Sequence, residues 1–395
     1  MTISTLTFQT NALEQMEALE TALTQTQNEL STGIQLQNAA DNPAAMSQVN
    51  ELNTQLSASQ QYVSNGNSAT ANLQLEQNAL TNASNALQSA RDLAVQANNS
   101  ALSLTDRQDI AAQLTQLQQT LLGAANSRDT NGNYLFAGTA SGAQPFVQNG
   151  NSVSYLGNEE VNQLQISPDQ SISAGDAGSS VFMNIPAGNG TFTTAAAAAN
   201  TGSASIDTGS VTDPAAWVPD TYTISFASPT QYQVTNSAGT VVTSGSYTSG
   251  DAIAFDGIDV TVSGTPAAGD EFTVAPAGTA SAFVTIGSLI NTLNSGSLSA
   301  AQITTQVGGA IEQIDGALNN LNDVQASVGG RLNAITTAQS GAQTEQTDLQ
   351  TETSKLQDVD YAAAVTQLST EELALQAAQE SYASIEHLSL FNYIT

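Results

Sequence analysis

Apolar residues spaced seven apart occupy both ends of this chain and are missing from its middle. Toward the C-terminus the series Ile314, Leu321, Val328, Ile335, Ala342, Leu349 and Leu356 steps by seven without a break. A companion series, Ile311, Leu318, Gln325, Leu332, Gln339 and Gln346, turns polar in its second half. In the first quarter Leu73, Leu80, Leu87 and Ala94 keep the same step, interleaved with Glu76, Ala83 and Ala90. A strand has period two and cannot hold such residues on one face, whereas a helix with a 3.5-residue seam does. The pattern therefore demands long helices from each end of the chain, packed antiparallel along their length.

The outermost segments carry thinner seams. At the start these are Leu13, Met16, Leu23 and Leu30, the last three seven apart. At the other end they are Val365, Leu368, Leu375, Tyr382 and Ile385, followed by an apolar tip with Leu388, Leu390 and Phe391. Most intervening positions are Thr, Gln, Asn, Ser or Glu, and Thr and Asn are mediocre helix formers. So narrow a stripe offers little area to offset chain entropy. Residues 1–40 and 357–395 are accordingly expected to be coiled-coil arms, disordered until assembly covers them.

Local signals place the helix ends. Asn42 is an N-cap followed by Pro43 at the first helical position, opening a helix to about Asn99 with a break expected near Asn65-Gly66. Thr105-x-x-Gln108 predicts a capping box ahead of Ile110, Leu114, Leu117 and Leu121. Ser299, with Gln302 three residues on, restarts the helical pattern. Between about 146 and 280 Gly, Pro, Ser and Thr rise. Short alternating runs appear there: SVSYL, NQLQIS, VFMNI, TYTISF, QYQVT, IAFDGIDVTVSG and EFTVAP. These predict strands joined by turns such as Asn236–Gly239 and Asp256-Gly257. The fold class is α+β: a long helical bundle from both chain ends, with 41–145 and 281–356 as the bundle domain and 146–280 as an inserted, mainly β domain.

Charge and composition narrow the function. The 395 residues carry a formal charge of −30 with five basic residues, none between Arg128 and Arg331. Nucleic acid and anionic membranes need Lys and Arg to meet their phosphates, so both are poor partners. There is no Cys, which removes disulfides and thiolate metal sites. The start, MTISTLTFQTNALEQ, has neither a basic n-region nor an apolar h-region, so export without a cleaved signal peptide is expected.

Little in the chain supports catalysis. His387 is the single histidine, and Lys355 follows no glycine-rich loop. Glu159 and Glu160 are adjacent, which on a strand sends them to opposite faces. Asp129–Asn133 superficially suggests a calcium loop, but Tyr134 stands where such a loop needs Gly. No enzyme, metal or cofactor is expected. What remains is architecture: heptad seams flanking a β insertion, with a self-contained bundle as the plain alternative to an assembly.

The residues also match a known family. Leu30-Ser31-Thr32-Gly33 with Asn38-Ala39-Ala40-Asp41-Asn42-Pro43-Ala44 resembles the N-terminal helix-to-helix signature of bacterial flagellins and their junction relatives. The segment from Ala90-Arg91-Asp92 to Asn98 resembles that family's second helix, and Val328-Gly329-Gly330-Arg331-Leu332 its returning helix. Asn131-Gly132-Asn133-Tyr134-Leu135-Phe136-Ala137-Gly138-Thr139 and the ending Leu388–Ile394 are similar to the junction members rather than to the filament subunits. The resemblance implies a structural junction protein joining the hook-associated region to the filament, extracellular on the bacterial flagellum and delivered by type III export. Implied partners are the proximal hook-associated junction protein, flagellin, an export chaperone on the C-terminal helix, and copies of the chain itself in a ring. A filament subunit, and a secreted adhesin using the β region, are the alternatives.

Overall fold

The computed structural model describes residues 2–150 and 152–391, with side chains described for 7–150 and 152–384. Among the described residues six α-helices carry the architecture: α1 (Thr2–Thr32), α2 (Pro43–Ala97), α3 (Leu104–Ala125), α4 (Ala282–Asn294), α5 (Ala300–Gln357) and α6 (Tyr361–Phe391). The fold is α+β. The chain divides into two compact units, one of residues 1–64 with 338–395 and one of residues 65–337; α2 and α5 contribute to both. The division falls inside those two helices. Residues 65–145, the β region and 281–337 share one unit, and the remainder of α2 and α5 belongs to the other. Helix α2 runs unbroken through Asn65-Gly66, because tertiary packing outweighs the weak propensity of the pair.

Several helix ends follow their local chemistry. The Asn42 Oδ1 accepts from the Ala45 N–H at 3.1 Å, capping α2 ahead of Pro43. At α5, Ser299 and Gln302 satisfy one another's backbone N–H groups at 2.9 and 3.2 Å. Helix α3 is capped two residues earlier than Thr105: Ser103 and Asp106 form the capping box. Asp outranks Gln there because its charge also suits the helix N-terminus.

In the unit of residues 65–337, the α2 seam Leu73, Leu80, Leu87 and Ala94 is fully buried, as are Ile314, Leu321, Val328 and Ile335 of α5. Helix α4 was not legible as part of either seam. It is short and apolar, capped by Ser281, and buries Phe283, Ile286, Leu289, Ile290 and Leu293. It packs beside α3, where the Gln118 amide donates to the Phe283 carbonyl at 3.1 Å.

The β region has two parts. The first belongs to the helical core: hairpin β1 (Phe146–Asn149) and β2 (Ser152–Tyr155), then hairpin β3 (Gln163–Ser167) and β4 (Gln170–Ser173). VFMNI is not a strand; a π-helical turn covers Ser179–Met183. It seats Phe182 against Phe136, Phe146 and Phe283, with ring centroids 5.2, 5.5 and 6.0 Å away.

The second part is a sandwich-like module with its own core. Its strands are β5 (Ile185–Pro186), β6 (Phe192–Ala196), β7 (Ser205–Ile206), β8 (Ser210–Val211), β9 (Tyr222–Ser228), β10 (Gln231–Thr235), β11 (Val241–Ser246), β12 (Ala252–Phe255), β13 (Ile258–Ser263), β14 (Glu271–Pro276) and β15 (Thr279–Ala280). One sheet has the order β11-β10-β9-β14-β6; β12-β13-β7, with β8 on β13, forms the other. Alternation puts Tyr222, Ile224 and Phe226, Ile258, Val260 and Val262, and Phe272 and Val274 into one cluster. Asp256 and Gly257 both have positive φ, as a two-residue hairpin loop requires.

Entry and exit pair as β5 and β15, and the Ala187 N–H donates to the Gly278 carbonyl at 2.9 Å. Among the module's contacts with α5 are polar ones: Gln302 to the Ala198 carbonyl, the Ile206 N–H to Thr305, and the Gly188 N–H to Gln313. Replacing 188–277 by a short Gly-Ser bridge should therefore leave a folded helical protein. Polar groups uncovered on α5 can hydrogen-bond to water at little cost. Circular dichroism and a thermal melt check it; loss of cooperative melting would refute it. Cutting at 146 instead would remove Phe146 and Phe182 from the core.

Candidate assembly interface

The terminal helices pair within the unit of residues 1–64 and 338–395. A short clasp sets their register. The Gln35 N–H donates to the Gln357 carbonyl at 2.8 Å and the Val359 N–H to the Gly33 carbonyl at 3.0 Å, with Ile34 and Asp358 bridged antiparallel. Gly33 has φ +74°, and a Cβ there would sit 3.0 Å from the Tyr361 hydroxyl. Only glycine combines that backbone with that approach. Asp41 ties the loop down by accepting from the Asn38 N–H at 2.9 Å, and Asp360 caps α6 through the Ala362 and Ala363 N–H groups.

Between α1 and α6 the contact combines a buried polar pair with half-buried apolar residues. Thr26 is buried and donates to Glu371 at 2.9 Å, and Ala364 is buried on α6. Met16, Leu23, Leu30, Leu368, Leu375 and Tyr382 are half-buried. Leu13 and Val365, also marked as assembly-seam residues, are 50% and 52% exposed. Phe8 at 51% and Leu373 at 68% are exposed as well. The side chains of Ile385, Leu388, Leu390 and Phe391 lie outside the described residues.

The motif residues of the other unit are positioning devices. Arg91 on α2 forms a two-pronged pair with Asp315 on α5, at 2.5 and 3.1 Å. That locks the antiparallel register of the two helices, though the half-exposed setting keeps the pair's energy modest. Tyr134 accepts from Arg128, whose guanidinium stacks 4.2 Å over its ring. Phe136 is fully buried. Gly132 has φ +88° in the turn held by Asp129, which accepts from the Asn131 and Asn133 N–H groups.

Gly138 has φ +65°, and an added Cβ would fall 2.1 Å from Asn158 Oδ1 and 2.4 Å from its carbonyl oxygen. Gly138→Ala should destabilise the protein by about 1–3 kcal/mol, read as a lower urea midpoint. An unchanged midpoint would refute it. Arg331 on α5 reaches the loop after β4, pairing with Asp176 and donating to the carbonyls of Ser173 and Gly175, both at 3.2 Å.

One group had no role assigned from its spacing. Glu76 interrupts the α2 seam, is 1% exposed, and neither carboxylate oxygen has a hydrogen-bond partner. The signal was present in the sequence: an acid at a seam position whose sevenfold neighbours are Ala83 and Ala90.

Residues 3–141 match the bacterial flagellin N-terminal helical region and residues 311–394 its C-terminal helical region. Residues 195–276, within the β module, match the D2-like domain of flagellar hook-associated protein 1. The solved FlgL of Xanthomonas campestris is 33% identical, with a TM-score of 0.71 over 76% of this chain and 98% of that one. The chain belongs to the FlgL family. The flagellar hook-associated protein-3 of Legionella pneumophila, also 33% identical, superposes with a TM-score of 0.75 over 78% of this chain and 98% of its own. Flagellar hook-associated protein 3 of Escherichia coli is 32% identical over 157 residues, 40% of this chain. That match spans about half the relative's length, 49%. The FlgL-family relatives share the helical ends flanking a β-rich insertion.

Proposed function

We propose that this chain is a structural, non-catalytic junction protein of the bacterial flagellum, joining the hook-associated region to the flagellin filament. The observation that carries the reading is the outward display of Phe8, Leu13, Val365 and Leu373 on the paired terminal helices, in a chain of the FlgL family. Covering the exposed half or so of such side chains gains about 1 kcal/mol each, roughly half of what full burial gives. Copies of the chain arranged in a ring would cover some, and the proximal hook-associated junction protein and flagellin the rest. On this reading the chain leaves the cell without a cleaved signal peptide, and an export chaperone holds the C-terminal helix until assembly.

Immunogold labelling of purified flagella tests it. A single band between hook and filament is expected, whereas label along the whole filament would make the chain a flagellin. A second test concerns coupled ordering. In the isolated protein, limited proteolysis should remove 1–40 and 357–395 rapidly and spare 45–350, because thin seams leave the arms little free energy of their own. Equal resistance of arms and centre would sink the coupled-folding part.

A further inference from the structure

We propose that Glu76 is held as a neutral carboxylic acid and shares its proton with Asp176, forming with Arg331 a proton-dependent latch between α2, the segment after β4, and α5. The geometry that supports it begins with burial. Both Glu76 oxygens are shielded from solvent and unpartnered, a state that costs an ionised carboxylate several kcal/mol. The nearby cation is already engaged: Arg331 pairs with Asp176 and donates to the carbonyls of Ser173 and Gly175. Its Nε–H is buried and unpartnered too, so the guanidinium has not turned to meet Glu76 as an ion pair would require.

Protonation resolves the mismatch. An ionised Glu76 can only accept, as can Asp176, so the two carboxylates have nothing to exchange. One proton on Glu76 makes it a donor to Asp176, and the site's formal charge falls from −1 to zero. Glu76 Oε2 lies 3.7 Å from where a Cβ on Gly175 would stand, beside the residue preceding Asp176. Burial first, and then the negative charge of Asp176, push the Glu76 pKa up to about 9, against a smaller opposing pull from Arg331.

A cavity of about 160 Å³ is bordered by Glu76 and Asp176. Its other titratable walls are Asp129, occupied by the Asn131 and Asn133 N–H groups, and Tyr134, occupied by Arg128.

The sign follows from linkage. With the folded pKa near 9 and the unfolded value at 4.5, the folded state holds one extra proton between them. The latch's contribution is complete below the lower value and is lost as pH rises to the upper one. The unfolding constant should grow by about tenfold per pH unit across that window.

Urea unfolding of the full chain and of Glu76→Gln, from about pH 5 to pH 9, provides the test. The wild type should show that tenfold-per-unit growth relative to Glu76→Gln, whose amide keeps the donor at every pH. Infrared spectra of the wild type alone give a second readout: a protonated carboxylic acid band at neutral pH in the folded chain that vanishes on unfolding. Parallel pH profiles for the two proteins would overturn the proposal. So would absence of the acid band at neutral pH. Millimolar calcium stabilising the wild type but not Glu76→Gln would overturn it in favour of a cation site.

Discussion

Phe146→Ala is expected to destabilise the unit of residues 65–337 by about 3–5 kcal/mol, the range for deleting a large buried aromatic. The ring is fully buried, with centroids 5.1 Å from Tyr155, 5.5 Å from Phe182 and 5.4 Å from Phe283. Those partners come from β2, the π-helical turn and α4, so one ring bridges its own hairpin to two segments distant in sequence. The site has little freedom to collapse. Asn126 at the end of α3 grips the Phe146 backbone by exchanging hydrogen bonds at 2.9 and 3.0 Å. A Cβ at Gly178 would lie 2.6 Å from the ring edge, so that residue is glycine to let the ring in. Urea unfolding measures the loss; a change below about 1 kcal/mol would mean that the cluster is not a cooperative core.

Val365→Lys combined with Leu373→Lys is expected to abolish motility while leaving the monomer's stability within about 1 kcal/mol of wild type. Both side chains are more than half exposed in the isolated chain, and exposed substitutions rarely cost more than a few tenths of a kcal/mol. In an assembly that covers α6, two buried ammonium groups without partners would cost several kcal/mol per subunit. The separation of the two effects is the informative part. A thermal melt reports the monomer, and swimming in soft agar reports assembly. Normal motility of the double variant would show that this face of α6 stays bare, and would move the proposed contact elsewhere on the arms.

Much of the fold was legible because it rests on periodicity. The sevenfold series of α2 and α5 identified the buried faces of both helices, since a residue repeating at the helical seam has one place to go. The β runs TYTISF and QYQVT were legible for the same reason with period two. Helix α4 escaped because its thirteen residues are too few for a repeat and lie between a β region and a seam. VFMNI escaped because a short apolar run is the same whether extended or wound into a turn.

The assembly face was harder to read. Spacing marked Leu13 and Val365 as residues of an assembly seam, and both stand about half exposed on the paired arms. Which side of a thin, Thr-rich helix meets its neighbour depends on fit, and spacing alone does not reveal that Thr26 is buried where it donates to Glu371.

By itself, then, the order of residues determined that long helices come from both chain ends, that a β insertion separates them, and that catalytic chemistry is scarce. Those are local properties, set by periodicity, capping and composition. Only the tertiary structure decided that Phe146 and Phe182 join one aromatic cluster with Phe283, that Arg331 is committed to Asp176, and that Glu76 is buried without a partner. These depend on which distant segments meet, and burial and electrostatics acquire their magnitudes only once that meeting excludes water.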